Sequence, residues 1–157
     1  MINSRGFTFV ELMMTLAILG VLALIAVPTA EYSIRREKER ELRTALIEIR
    51  AAIDAYKVAS EQGRINVPPG ETGYPRSLDD LVNGVVDQRS PVGQKIYFLR
   101  RLPRDPFNGL SQNDPAISWG LRSYASPPDR PAPGRDVFDV YSLSSLSGLN
   151  GVPYRKW

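Results

Sequence analysis

The chain contains neither cysteine nor histidine in its 157 residues. The absence of cysteine excludes disulfide bonds, thiol nucleophiles and thiolate metal ligands, and the absence of histidine excludes imidazole bases and histidine zinc sites. Pairs of serine with lysine, or of two carboxylates, at a recognisable catalytic spacing are missing as well. We therefore expect a protein that is not an enzyme and that holds no cofactor.

The chain also lacks a strong excess of charge of one sign. Its 20 basic and 17 acidic residues are intermixed and leave a formal net charge of +3, so electrostatics does not require nucleic acid as a partner. Proline and glycine are scarce before residue 62 and concentrated after it, which predicts a helical first part and an irregular second part. The length allows one small globular domain.

The most prominent feature is an apolar run from Phe7 to Val27, interrupted by Thr8, Glu11 and Thr15. At about 1.5 Å per residue, about 20 helical residues cross the ~30 Å hydrocarbon layer of a membrane. We therefore predict a membrane-spanning helix in this segment.

A secretory signal peptide is the competing interpretation, with Arg5 as its basic residue and cleavage after Ala30. However, the apolar run is longer than the usual ~7–15 residues of such a peptide, and it carries a carboxylate. Pro28 also stands where the cleavage site requires a small residue. These features favour a retained helix.

Glu11 lies inside the apolar run, where an unpaired carboxylate costs on the order of a few kcal/mol in lipid. One explanation is that its side chain reaches the headgroups from near the helix end. The other is that the carboxylate has a specific partner.

Residues 5–12 read Arg-Gly-Phe-Thr-Phe-Val-Glu-Leu and closely resemble the cleavage and methylation signature of type IV pilins and pseudopilins. The resemblance implies that a prepilin peptidase cuts between Gly6 and Phe7 and then methylates the new amine of Phe7. That amine can pair with Glu11 of an adjacent subunit, so that two groups that are costly in lipid compensate each other. The pair would set the axial register of a filament.

The resemblance also implies an α+β, pilin-like fold, in which a long N-terminal helix packs on a small C-terminal antiparallel β-sheet domain with a short second helix. We divide the chain into a cytoplasmic leader (1–6), a transmembrane and filament-core helix (7–30), an amphipathic continuation of that helix (31–60) and a periplasmic globular domain (61–157). The expected location is the bacterial inner membrane, with a single span, and the periplasm after assembly. The positive-inside rule favours the opposite orientation, because Arg5 is the only basic residue of the leader and several basic residues follow the span.

The helix is expected to continue to about Ser60, with apolar residues at the spacing of three and four that marks one buried face: Leu42, Ala45, Leu46, Ile49, Ala52, Ile53 and Tyr56. This face needs a sheet to cover it. Opposite charges four residues apart, such as Glu39 and Arg43, indicate a solvated face or bridges between neighbouring subunits. Pro28 lies inside the helix, and its missing N–H and its ring predict a kink or a local opening.

After residue 62 the elements are expected to be short. Ser77 is the predicted N-cap of a short helix, with Asp80 three residues later. Three aromatic and β-branched runs, Trp119–Tyr124, Val137–Tyr141 and Val152–Trp157, predict strands of a small antiparallel sheet.

Several strings in this part resemble the major pseudopilin, the G component of type II secretion, and they fall in the family's order. They are Tyr74-Pro75 with Leu78 and Leu81, Leu102 to Phe107, Tyr141-Ser142-Leu143 and the terminal Trp157. Phe107 stands where the family more often has tryptophan. Without the resemblance, Asp105-Pro106 would indicate only a turn.

The family's major subunit typically binds calcium in the loop between its last two strands. Here that loop, residues 144–151, contains no carboxylate. A calcium ion takes about six to eight oxygen ligands, several of them usually anionic, so we expect no metal in this loop. Asp136 and Asp139 could contribute, but solvation at a strand edge explains them more simply.

The function implied by the resemblance is that of a structural subunit of the type II secretion pseudopilus, which polymerises through its N-terminal helix and helps to drive protein export across the outer membrane. The implied partners are further copies of the chain, other pseudopilins, the prepilin peptidase, the inner-membrane assembly platform with its ATPase, and membrane lipid.

Three alternatives stay open. A type IV pilin would serve adhesion, motility or DNA uptake, although such pilins often carry a disulfide loop. A minor pseudopilin would initiate or cap the filament, although those that cap it often lack the glutamate present here as Glu11. A binding module or enzyme with an ordinary membrane anchor would tolerate a change at Gly6 that a filament subunit would not.

Overall fold

The computed structural model describes residues 6–108 and 114–157. Arg5 and the rest of the leader before Gly6 lie outside the described residues. The chain divides into an N-terminal unit, Met1–Glu37, and a C-terminal unit, Lys38–Trp157. Among the described residues, a long helix and two pairs of antiparallel strands make up an α+β, pilin-like fold.

The first helix, α1, comprises Phe9–Glu61, within two residues of the predicted span at each end. It ends in a Schellman motif, because Gly63 adopts a φ of 68° that is open to glycine without strain. The Gly63 amide donates to the Ser60 carbonyl oxygen (2.9 Å) and the Arg64 amide to that of Ala59 (3.0 Å). The helix is continuous across position 28, and the kink at Pro28 stays a prediction.

The apolar face predicted for the second part of α1 forms the centre of the hydrophobic core of the C-terminal unit. All of its predicted members are buried: Leu42, Ala45, Leu46, Ile49, Ala52, Ile53 and Tyr56. The same core includes Leu81, Trp119 and Val140. Each fully buried large aliphatic side chain contributes about 1.5–3 kcal/mol, so this face is the main source of stability in the unit.

The second helix, α2, comprises Asp79–Asn83. The predicted N-cap was wrong by one residue, since Leu78 takes that position, but the Asp80 carboxylate does accept hydrogen bonds from the amides of Arg76 (3.0 Å) and Ser77 (3.1 Å). Gly84, at a φ of 72°, ends the helix.

Two short antiparallel pairs follow: β1 (Val85–Val86) with β2 (Lys95–Ile96), and β3 (Trp119–Arg122) with β4 (Asp139–Ser142). The second pair confirms two of the predicted strands. The pair β1 and β2 was not predicted, because two residues are too few to show an alternation.

The predicted third strand, Val152–Trp157, was wrong. This segment makes only an isolated bridge between Ser147 and Pro153 and then turns into a 3-10 helix, Tyr154–Lys156. Pro153 has no N–H for a ladder, and the Tyr154 side chain is fully buried in the core. Burial of the aromatic ring, rather than strand pairing, therefore sets the path of the C-terminus.

A fully buried carboxyl group, that of Asp105, joins three segments of the C-terminal unit. Its Oδ1 accepts from the Phe107 amide (2.8 Å) and its Oδ2 from the Ser142 hydroxyl at the end of β4 (2.5 Å). The Asp105 amide donates to the Ser118 hydroxyl oxygen (3.3 Å). The turn indicated by Asp105-Pro106 is present, because the Asn108 amide donates to the Asp105 carbonyl oxygen (3.2 Å), but a turn alone does not reveal the bond to Ser142.

Replacing Asp105 with alanine should lower the free energy of unfolding by about 2–4 kcal/mol, because it leaves the Phe107 amide and the Ser142 hydroxyl buried without an acceptor. Urea unfolding followed by the fluorescence of Trp119 and Trp157 measures this. Asp129→Ala, in an exposed loop, is the matched control and should change little. Equal stability of the two variants would show that the Asp105 hydrogen bonds are not a major anchor.

Candidate functional site

The predicted cleavage site lies in an exposed, non-helical segment before α1. Gly6, Phe7 and Thr8 have no regular secondary structure, and the Phe7 side chain is 81% exposed. A Cβ atom built on Gly6 would meet none of the described residues within 4 Å. Proteases act on exposed chain that they can hold in an extended form, so the bond between Gly6 and Phe7 is placed where a peptidase can reach it.

Glu11 and Thr8 form a capping box at the start of α1. The Glu11 amide donates to the Thr8 hydroxyl oxygen (3.2 Å), and the Thr8 amide donates to the Glu11 carboxylate (3.4 Å). The Thr8 hydroxyl also donates to this carboxylate (3.4 Å). Sequence reasoning missed this local role, although Thr-x-x-Glu before an apolar run is its known signal.

Thr15, the third polar residue of the apolar run, also has a hydrogen-bond partner within α1. The Thr15 hydroxyl donates to the Leu12 carbonyl oxygen one turn earlier (2.8 Å). In hydrocarbon, each polar group without a partner costs several kcal/mol. The hydroxyl of Thr15 is therefore compatible with lipid.

The remaining side chains of this segment offer an apolar surface on all sides of the helix. In the most apolar 18-residue window the mean hydropathy is 2.5 and none of the residues is buried. The large apolar side chains that the structure describes from Phe7 to Val27 are more than half exposed, including Leu16, Leu19 and Leu24. By length and composition, α1 can cross a membrane.

The loop at residues 144–151, where the family resemblance implies calcium, is bound by a carboxylate from α1. Glu39 Oε1 accepts hydrogen bonds from the Leu149 amide (2.7 Å) and the Tyr154 hydroxyl (2.9 Å). The interpretation of Glu39 as part of a solvated or intersubunit face did not foresee these contacts. Its partners lie more than 100 residues away in the chain, so helical spacing cannot reveal them.

Asp136 and Asp139, the other carboxylates considered for calcium, are held by other partners. Asp139 Oδ1 accepts from the Arg50 guanidinium (2.8 Å), which also donates to the Trp157 carbonyl oxygen (2.8 Å). Asp136 is buried and accepts from the hydroxyls of Thr72 and Ser123. The explanation by strand-edge solvation was therefore wrong for Asp136, whereas the Asp139 side chain is paired with Arg50 and still 30% exposed.

These donor sets do not fit a calcium ion. Among residues 6–108 and 114–157, no group of three or more acidic, histidine or cysteine side chains could hold a metal. The loop itself provides hydroxyls, one amide side chain and backbone groups, whereas calcium sites usually include several anionic oxygens.

Burial raises the pKa of the Asp136 carboxyl, but hydrogen bonds from Ser123, Thr72 and the Tyr124 amide lower it more, so that its pKa lies below the ordinary value. A depressed pKa means that the ionised form stabilises the fold. This contribution is present above the unfolded-state pKa of about 3.9 and is lost as the pH falls through the lower, folded-state pKa.

The variant Asp136→Asn should therefore be less stable than the wild type at pH 7, by about 1–3 kcal/mol, and the difference should shrink as the pH falls below about 4. Urea unfolding midpoints between pH 7 and pH 2 measure it. A difference that stays constant over this range would contradict a stabilising charge at Asp136.

Comparisons with known proteins agree with these features. The model of the prokaryotic N-terminal methylation motif matches residues 1–27. The chain is 31% identical over 106 residues to type II secretion system core protein G of Pectobacterium carotovorum, which covers 67% of this chain and 63% of that protein. It is 27% identical over 155 residues to the protein of the same name from Dickeya chrysanthemi, covering 96% and 81%.

A third relative of that name, from Klebsiella pneumoniae, is 28% identical over 152 residues and covers 96% of this chain and 89% of its own length. No solved structure matches the chain. The methylation motif covers the capping box and the exposed apolar segment, and the longer alignments add the C-terminal unit.

Proposed function

Because this chain belongs to the type II secretion core protein G family, the major pseudopilins, we propose that it polymerises through α1 into a periplasmic filament that helps to drive protein export across the outer membrane. The role is structural and mechanical. Its partners are further copies, other pseudopilins, the prepilin peptidase, and the inner-membrane assembly platform with its ATPase.

The observation that carries this proposal is the exposed apolar surface of α1 between Phe9 and Val27. Contiguous apolar surfaces of this kind mark contact with lipid or with other proteins. Before assembly, lipid covers the segment, and the methylation motif, the relatives and the apolar helix together fit a membrane-anchored protein. In a filament, the same segments of other copies replace the lipid.

The capping box leaves the charge of Glu11 available to a neighbour. Its contacts with Thr8 are long, at 3.4 Å, and Thr8 brings no positive charge. Cleavage after Gly6 creates an amine at Phe7, and we propose that this amine of one copy pairs with Glu11 of the next. In lipid the pair lowers the cost of both charges, which gives the filament one preferred axial register.

The leader faces the cytoplasm and the C-terminal unit the periplasm in this proposal. The positive-inside rule favours the reverse, but a peptidase that removes a six-residue leader on the cytoplasmic side requires the proposed orientation. A type IV pilin function is less well supported, because the relatives all carry the secretion-system name and the chain has no cysteine for a C-terminal disulfide loop.

Gly6→Val should block removal of the leader and thereby abolish assembly, while the protein still inserts into the membrane. A side chain at this position meets nothing in the subunit, so a failure would come from the peptidase and not from misfolding. Mass spectrometry of the purified chain measures the N-terminus. Gly20→Val, at another position where a Cβ meets nothing, is the control and should begin at Phe7. A normally processed Gly6→Val chain would contradict the assigned cleavage site.

Glu11→Gln and Thr8→Val separate the charge of Glu11 from its capping role. Glutamine can still accept from the Thr8 amide, but it cannot pair with the amine, so filaments should be lost although processing continues. Thr8→Val removes the capping hydroxyl and keeps the charge, so filaments should form. Electron microscopy of cells that overproduce each variant with the peptidase and assembly platform measures this. Normal filaments from Glu11→Gln would refute the charge pair.

A further inference from the structure

The loop at residues 144–151 is attached to α1 by an anion instead of a cation. We propose that this loop keeps its fold without a metal ion, because the Glu39 carboxylate provides the cross-link to the rest of the C-terminal unit. This inference concerns the subunit alone and does not depend on the proposed function.

The polarity of the contact between Glu39 and the loop supports a fold without a metal ion. A metal ion binds oxygen lone pairs, whereas here the loop presents an N–H group, that of Leu149, to a carboxylate at 2.7 Å. The carboxylate oxygen that accepts this bond also accepts from the Tyr154 hydroxyl at 2.9 Å. Hydrogen bonds to a charged acceptor are about twice as strong as neutral ones.

Backbone oxygens of the loop are already used by donors of the protein. The Leu146 carbonyl oxygen accepts from the Tyr154 amide (3.1 Å), and the Gly148 carbonyl oxygen accepts from the Gly151 amide (2.9 Å). The Val152 carbonyl oxygen accepts from both the Gly148 amide (2.8 Å) and the Trp157 indole (3.2 Å). A cation would have to compete with these bonds.

The side chain of Asn150 closes the loop in the same way. Its Oδ1 accepts from the Val152 amide (3.0 Å), so the amide oxygen of the loop that calcium would take is already bonded to the backbone.

Glu39 links the loop to the rigid part of the unit. Tyr154 is fully buried and stacks on Phe107, with ring centroids 4.2 Å apart. One turn further along α1, the Arg43 guanidinium lies 4.9 Å from the ring centroid of Trp157. Glu39 and Arg43 therefore hold the loop and the C-terminus from the same side of α1.

The test uses the mature full chain purified in detergent. Its thermal unfolding, followed by tryptophan fluorescence, should be the same within about 1 °C in EGTA and in millimolar CaCl2, and calorimetric titration with CaCl2 should give no binding heat. Glu39→Ala should lower the midpoint by roughly 5–10 °C. Glu41→Ala, at an exposed position of the same helix, is the matched control and should stay within about 2 °C of the wild type.

Hydrogen exchange of the peptide that contains Leu149 gives a local measurement. In Glu39→Ala its exchange should be at least about tenfold faster, whereas EGTA should not change it in the wild type. Tyr154→Phe removes only the hydroxyl that donates to Glu39, and it should accelerate exchange in the same peptide even if Glu39→Ala does not fold. Stoichiometric calcium binding that raises the wild-type midpoint, or unchanged exchange in both variants, would overturn the proposal.

Discussion

An apolar helix surface that its own subunit leaves uncovered is the constraint on which the rest of this molecule depends. Between Phe9 and Val27 the described large apolar side chains of α1 are exposed, and leaving so much contiguous apolar surface in water is unfavourable. The segment therefore needs an apolar environment, which a membrane provides and which, in the function proposed above, further copies provide after assembly. The C-terminal unit meets a different condition, because its core uses α1 only from Leu42 onwards, and it can bury that face with its own chain.

Hydrogen bonds satisfy the carboxyl groups both in the apolar segment of α1 and in the C-terminal unit. Glu11 caps the helix start, and Asp105, Asp136 and Glu39 each accept a hydrogen bond from a backbone amide or a hydroxyl of a distant segment. Taking a carboxyl group out of water is expensive unless hydrogen bonds replace its solvent. In the C-terminal unit these carboxyl groups connect segments that are joined by few strand hydrogen bonds. The strands β3 and β4 pair over only four residues each.

This use of carboxyl groups also bears on the loop at residues 144–151, for which the family resemblance implies calcium. Where related subunits are expected to gather a cation, residues 144–151 carry serine, glycine and asparagine, and the negative charge comes from Glu39 on α1. A loop that offers N–H groups to an anion needs no cluster of acidic residues of its own. In the arrangement proposed above, the loop has no carboxylate of its own and Glu39 lies opposite it.

The sequence by itself determined the features that depend on local periodicity and composition: the long helix, its apolar face from Leu42 to Tyr56, the exposed span, and a processing signature around Gly6 and Phe7. The capping box of Thr8 and Glu11 was also readable from a spacing of three. Tertiary structure alone decided that Tyr154 enters the core, so that the expected third strand does not form. It also decided that Glu39 and Asp105 connect distant segments by hydrogen bonds. The bond of Asp105 with Ser142 spans 37 residues and that of Glu39 with Tyr154 spans 115. Such contacts depend on where the folded chain brings distant segments together, which helical or strand spacing does not encode.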